Sequence, residues 1–143
     1  KSDLNSIIKE IIENEAIENK IINLNTKNDS PIFFECRSIA MKRCITNLLK
    51  NACSYGNNIN VSLYKKKDII SISIEDDGPG INKKDYDKAV KPFIRLDSSR
   101  NQNIPGSGLG LSISQDITSN HGGKLIMSRS DMGGLKVQLE FSN

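Results

Sequence analysis

The stretch Ile70-Ser71-Ile72-Ser73-Ile74-Glu75-Asp76-Asp77-Gly78-Pro79-Gly80 decides how this chain is read. Ile70, Ile72 and Ile74 alternate with Ser71, Ser73 and Glu75, the period-two pattern of a half-buried strand. Strand parity makes Asp76 the next member of the inward apolar row and turns Asp77 the other way. A carboxylate at the end of an apolar row is costly unless something bonds to it. Gly78 and Gly80 leave room for a flat ligand to reach the backbone, and an exocyclic amine such as N6 of adenine would satisfy the acid. An ordinary Asp-Asp-Gly turn, which Pro79 also suits, is the plainer reading of the same residues.

Working upstream, Ile59, Val61 and Leu63 alternate with Asn60 and Ser62, a hairpin partner for that strand, with Lys65-Lys66-Lys67 as the solvated turn. A helix written by Ile39, Met41, Ile45, Leu48, Leu49 and Ala52 precedes it and ends near Gly56. Asn47, Asn51 and Tyr55, spaced by four, stack along one edge of that helix, at the border between core and cleft. Asparagines there suit surface decoration or a cap. They equally suit a magnesium site, in which an amide oxygen coordinates at about 2 Å while waters and phosphate oxygens complete the shell. Earlier still, Leu4, Ile7, Ile8, Ile11 and Ile12 recur at helical spacing behind a Ser2 or Asp3 cap, and Ile21–Leu24 and Ile32–Cys36 are short β-prone runs.

Downstream the periodicity dissolves from Ile81 to Pro105, apart from one or two helical turns expected at Asp85–Val90. A loop of that length in a compact domain points to a lid, a binding loop or a disordered segment over about 82–105. It carries Phe93, an anchor or a stacking ring, and Arg95 and Arg100, which suit bidentate contacts to phosphate oxygens. Gly106, Gly108 and Gly110 then alternate ahead of a helix with Leu109, Ile113 and Ile117 at i, i+4, so that backbone N–H groups and a helix N-terminus face one place. The spacing is neither GxGxxG nor a P-loop. His121, before Gly122-Gly123, is read as a capping residue at that helix's C-terminus. Lys124–Arg129 and Leu135–Phe141 close the chain as a hairpin.

Bulk composition sets the frame. The chain has 143 residues, 36% hydrophobic and 26% charged, with a net charge of +3. That fits a single ordinary domain, residues 1–143, too charged for a membrane span and too apolar for wholesale disorder. The basic residues are scattered, so neither nucleic-acid binding nor membrane contact is expected of it. Three cysteines without CxxC spacing and a single histidine argue against disulfides, zinc and an imidazole metal site. The chain does not start with Met and is expected to be a piece of a larger protein. The order of helices and strands implies an α+β fold: a two-layer sandwich with a mixed sheet of about five to seven strands and three main helices on one face.

Taken together, NLLKNACSY at 47–55, DDGPG at 76–80, Pro92-Phe93 with Arg95, and GSGLGL at 106–111 resemble, in order, the N, G1, F and G2 boxes of sensor histidine kinases. These are the ATP-binding catalytic domains of the Bergerat (GHKL) fold, and the opening Asp3–Ile8 segment and short lid are similar to the osmosensor EnvZ subgroup. The resemblance implies a protein-histidine kinase domain of a two-component phosphorelay, with ATP and Mg2+ as cofactors. It implies catalytic roles for Asn51 and Arg95, with Asn51 as the metal ligand. Asn47, Asn51, Tyr55, Asp76, Gly78, Gly80, Arg100, Gly106, Gly108, Leu109, Gly110 and Leu111 would line the nucleotide site. Ser54 departs from the family, which often carries Lys or Arg there; either a phosphate contact is lost or Lys50 or a lid arginine replaces it. The phosphoacceptor histidine is absent and would sit on a separate dimerisation domain, with a response regulator downstream. The parent would be a bacterial inner-membrane protein with this part in the cytoplasm. A non-catalytic ATP-binding regulatory module of the same fold is the alternative. A chaperone-like clamp would need a hydrolytic glutamate, for which Glu10 and Glu13 are better placed for solvent.

Overall fold

Alternation in the strands and three-to-four spacing in the helices turn one apolar set into a shared core. The computed structural model describes residues 1–15, 20–26, 31–91 and 110–143. In chain order the elements are β1 (Ser2–Asp3), α1 (Leu4–Asn14), β2 (Ile21–Thr26), β3 (Phe33–Phe34), α2 (Ser38–Tyr55), β4 (Asn58–Lys66) and β5 (Ile69–Asp76). A 3-10 turn (Lys83–Asp85) then runs into α3 (Tyr86–Ala89), followed by α4 (Gly110–Asn120), β6 (Lys124–Arg129) and β7 (Leu135–Ser142).

Five strands form the main sheet in the order β2-β4-β5-β7-β6. β2 runs parallel to β4, and the remaining pairs are antiparallel, which makes the sheet mixed as expected. β1 and β3 pair separately, with Ser2 opposite Phe34. Phe34 stacks on Phe141 of β7 at a ring-centroid distance of 4.8 Å, fastening this small pair to the main body.

The inward rows Ile59/Val61/Leu63, Ile70/Ile72/Ile74 and Leu135/Val137/Leu139/Phe141 are all buried. Met41, Ile45, Leu48, Leu49 and Ala52 of α2, with Leu4, Ile7, Ile8 and Ile11 of α1, complete the core. Burying each large side chain contributes about 1.5–3 kcal/mol, set against the entropy of ordering it. Asp3 caps α1, accepting hydrogen bonds from Asn5 N–H at 3.0 Å and from the Ser6 hydroxyl at 2.9 Å. Lys67 takes the left-handed φ of 56° in the β4–β5 turn, where the lysine run was expected to bend.

Two sequence expectations need correction. Ile39 is 84% exposed and does not belong to the α2 stripe. At 3.6 residues per turn it lies about 125° from the line through Met41, Ile45, Leu49 and Ala52. On α4 the buried face is Leu111, Ser112, Ser114 and Thr118, while Ile113 and Ile117 are only half-buried. Small hydroxyl residues face α2 because they bond to it and let the helices lie close. Leu109, the first member of the expected row, falls outside the described residues. Asp85–Val90 does make short helical turns, as anticipated, and the rest of the expected lid from Pro92 lies outside the described residues.

Candidate functional site

Strand parity delivers Asp76 to the interior, where it is 2% exposed opposite Ile59 of β4. Its Oδ1 accepts the Gly78 N–H at 2.9 Å and, more weakly, the Leu135 N–H at 3.4 Å. Its backbone carbonyl accepts the Gly134 N–H at 3.1 Å. A side-chain carbon on Gly134 would collide with Asp76 Oδ1 and O, and one on Gly78 would come 2.5 Å from the Tyr55 carbonyl oxygen. These glycines are therefore demanded by close backbone approach around the acid. Gly80 adopts φ 73°, the left-handed conformation that turns the chain away after the acid.

α2 brings Asn47, Asn51 and Tyr55 to the edge of the same helix that packs on β5. All three are half-buried, as the border position predicts. Among the described residues the carboxamides of Asn47 and Asn51 have no hydrogen-bond partner. Gly110 opens α4, and a side chain there would meet nothing within 4 Å among the described residues. Leu111, next along, is buried. Phe93, Arg95, Arg100, Gly106, Gly108 and Leu109 lie outside the described residues.

Ser54 is exposed and its hydroxyl donates to the Lys50 carbonyl at 2.9 Å, so the position offers no charge. Lys50 itself lies 3.9 Å from Glu15. Glu10 and Glu13 are exposed, and Glu10 pairs with Lys42 at 3.3 Å. His121 uses both ring nitrogens for structure. Nε2 accepts the Arg37 N–H at 3.1 Å, which makes Nδ1–H the donor to the Ile117 carbonyl at 2.7 Å. It thereby caps α4 and ties that end to the start of α2.

Sequence reasoning missed the part played by the β6–β7 turn. Gly134 and Leu135 are nearly sixty residues from Asp76, and only the Gly133-Gly134 pair hinted at more than a hairpin. It also missed Asp77, which accepts Asn58 Nδ2 at 2.7 Å, Asn57 N–H at 2.7 Å and Asn58 N–H at 3.1 Å. These bonds, the Asn58 side chain first, hold its carboxyl below the usual carboxylate range. Behind the site, burial pushes the Cys53 thiol upward, opposed by nearby Lys20 and reinforced by Glu15 and Asp76. Two clefts of about 650 and 450 Å³ lie elsewhere, around Arg37 and His121 and around Tyr86 and Arg129, and neither includes Asp76 or Asn51.

Residues 36–143 match the family described as histidine kinase-, DNA gyrase B-, and HSP90-like ATPases. The sensor histidine kinase GtrS of Pseudomonas aeruginosa is 39% identical over 103 residues, 72% of this chain and 21% of that protein. The sensor histidine kinase CpxA of Escherichia coli is 34% identical over 99 residues, 68% of this chain and 22% of that protein. The chain thus spans about a fifth of the length of these relatives. The histidine kinase domain of the Escherichia coli osmosensor EnvZ superposes with a TM-score of 0.74 at 34% identity, covering 99% of this chain and 86% of that one. A mycobacterial sensor histidine kinase, MprB, gives 0.87 at 24% identity over 99% and 96%, a likeness that shows the fold.

Proposed function

This chain belongs to the histidine kinase-, DNA gyrase B- and HSP90-like ATPase family, and we propose that residues 1–143 form the ATP-binding catalytic domain of a bacterial sensor histidine kinase. The carrying observation is the buried Asp76 carboxylate, walled by glycines, at the end of an apolar strand row. In this reading Asp76 accepts the N6 amine of adenine, and Tyr55, Gly78 and Gly80 shape the base pocket. Asn51 donates its amide oxygen to Mg2+, with Asn47 beside it at the phosphates. Bound there, the metal would supply charge neutralisation to the phosphate oxygens. Gly110 and Leu111, with Gly106, Gly108 and Leu109 before them, hold the phosphate chain at the start of α4. Arg95 and Arg100 belong to the lid over about 82–105.

Phosphoryl transfer rests on positioning and charge stabilisation, so the remaining requirement is an acceptor. The γ-phosphoryl group passes to a histidine on a separate dimerisation domain of the parent protein and from there to a response regulator. The parent is a bacterial inner-membrane sensor with this part in the cytoplasm. Among the described residues no helix is long and apolar enough to cross a membrane. No observation favours the non-catalytic alternative. The test is to mix the chain with the purified phosphoacceptor domain of its parent and Mg·ATP. An acid-labile phosphohistidine is expected, and tight ATP binding with no transfer would overturn the kinase reading.

A further inference from the structure

Asp77 follows the buried Asp76 and ties down the turn that lies against it. Its Oδ1 accepts the Asn57 and Asn58 N–H groups, and its Oδ2 accepts the Asn58 side-chain amide. From the opposite side Lys20 Nζ donates to the Gly56 carbonyl at 2.8 Å and to Asn57 Oδ1 at 3.0 Å. The Gly56–Asn58 turn is therefore held between a carboxylate on its N–H groups and an ammonium on its carbonyl. Charge-assisted bonds of this kind are shorter and stronger than neutral ones. The turn is in close contact with the acid: a side-chain carbon on Gly56 would lie 2.8 Å from Asp76 Cβ. Tyr55, immediately before it, has its carbonyl against Gly78.

We propose that Asp77 and Lys20 are positioning residues that hold the end of α2 against Asp76–Gly78 and so set the preference for adenine over guanine. The inference rests on the adenine-pocket reading above. Guanine presents an O6 acceptor where adenine presents an N6 donor, so in a tightly held pocket it faces the Asp76 carboxylate acceptor-to-acceptor. A site built around one hydrogen bond rejects the mismatched ligand only while its geometry is fixed. A turn released from its clamp lets either base settle without that penalty.

The experiment compares dissociation constants for Mg·ATP and Mg·GTP, by competition against a fluorescent ATP analogue, together with melting temperature. Asp77→Ala is expected to weaken ATP about tenfold while GTP changes less than about twofold, collapsing the base preference. Asp77→Asn is expected to stay within about twofold of the parent chain, because its carbonyl oxygen still accepts the two backbone N–H groups. Lys20→Met should shift the ratio in the same direction by a smaller factor. An Asp77→Ala chain whose ATP and GTP affinities fall equally, or not at all, overturns the proposal even if its melting temperature drops. Should Asp77→Ala fail to fold, an unchanged ratio in Lys20→Met overturns it. Failure of the parent chain to bind ATP overturns the underlying pocket reading instead.

Discussion

Ser114 on α4 donates its hydroxyl to the backbone carbonyl of Cys44 on α2 at 2.9 Å, and the Cys44 thiol points back to the Ser114 carbonyl at 3.6 Å. Thr118 adds its own hydroxyl to the Ser114 carbonyl at 2.7 Å. The helix that carries Asn47 and Asn51 is thus joined by buried polar contacts to the helix that opens at Gly110. Ser114→Ala should cost about 1 kcal/mol, the net worth of the one hydrogen bond it removes, since the Cys44 carbonyl sits inside α2 and keeps its helical partner. Ser114→Leu should cost as much through overpacking and also weaken nucleotide binding, since it forces the two helices apart. Urea denaturation of both variants checks the first statement, and an unchanged midpoint for Ser114→Ala would contradict it.

Gly133 and Gly134 are adjacent but do different work. Gly133 has φ 103° and open space around it, so Gly133→Ala should destabilise by about 1 kcal/mol and leave ATP affinity alone. At Gly134 an added carbon would collide with Asp76, so Gly134→Ala should abolish ATP binding while the chain stays folded. Circular dichroism and calorimetry on the pair separate the two effects. Equal nucleotide affinities in both variants would remove the β6–β7 turn from the site.

Acid should loosen the Asp77 clamp. Its folded-state carboxyl is held below its unfolded value, chiefly by the Asn58 side chain and then by the Asn58 backbone. Such a group contributes stability above the unfolded value, near pH 4, and loses it as pH falls through the lower folded value. Asp77 is well solvated, so the contribution is small. Melting temperatures of the parent chain and Asp77→Asn should therefore converge as pH falls below about 4, where the parent loses this contribution. A gap that stays constant from pH 7 to pH 3 would show that the carboxylate contributes no such pH-dependent term.

The cysteines should differ in reactivity. Cys44 and Cys53 are buried, and burial raises both thiols above their ordinary value, whereas Cys36 is half-buried. Since the thiolate is the nucleophile, iodoacetamide at pH 7.5 should label Cys36 well before the other two in the native chain. Peptide mass spectrometry reads the order, and early labelling of Cys53 would mean that the floor behind Asp76 opens readily.

Much of this was legible from residue order. The Ile70/Ile72/Ile74 alternation placed Asp76 inside, and the four-residue spacing placed Asn47, Asn51 and Tyr55 on one edge of α2, because both follow from local geometry alone. Ile39 misled because an apolar residue in the first helical turn matches the pattern by type while missing it by angle. Ser114 and Thr118 were passed over because hydroxyl residues read as surface until a contact with Cys44 on the facing helix, through its carbonyl for Ser114 and its thiol for Thr118, explains their burial. Gly134 and the Lys20 clamp were invisible for another reason: their partners are distant in sequence, and no short-range period encodes a contact made by folding.

The most direct test of the account is a calorimetric titration of Mg·ATP into the parent chain and into Asp76→Asn. Because Oδ1 is held by the Gly78 and Leu135 N–H groups, the variant's carbonyl oxygen should stay there and its amide N–H2 should face the incoming adenine amine, donor against donor. Saturable binding is expected for the parent chain and none for a folded Asp76→Asn chain. Undiminished binding to that variant would show that the base is held somewhere other than at this acid.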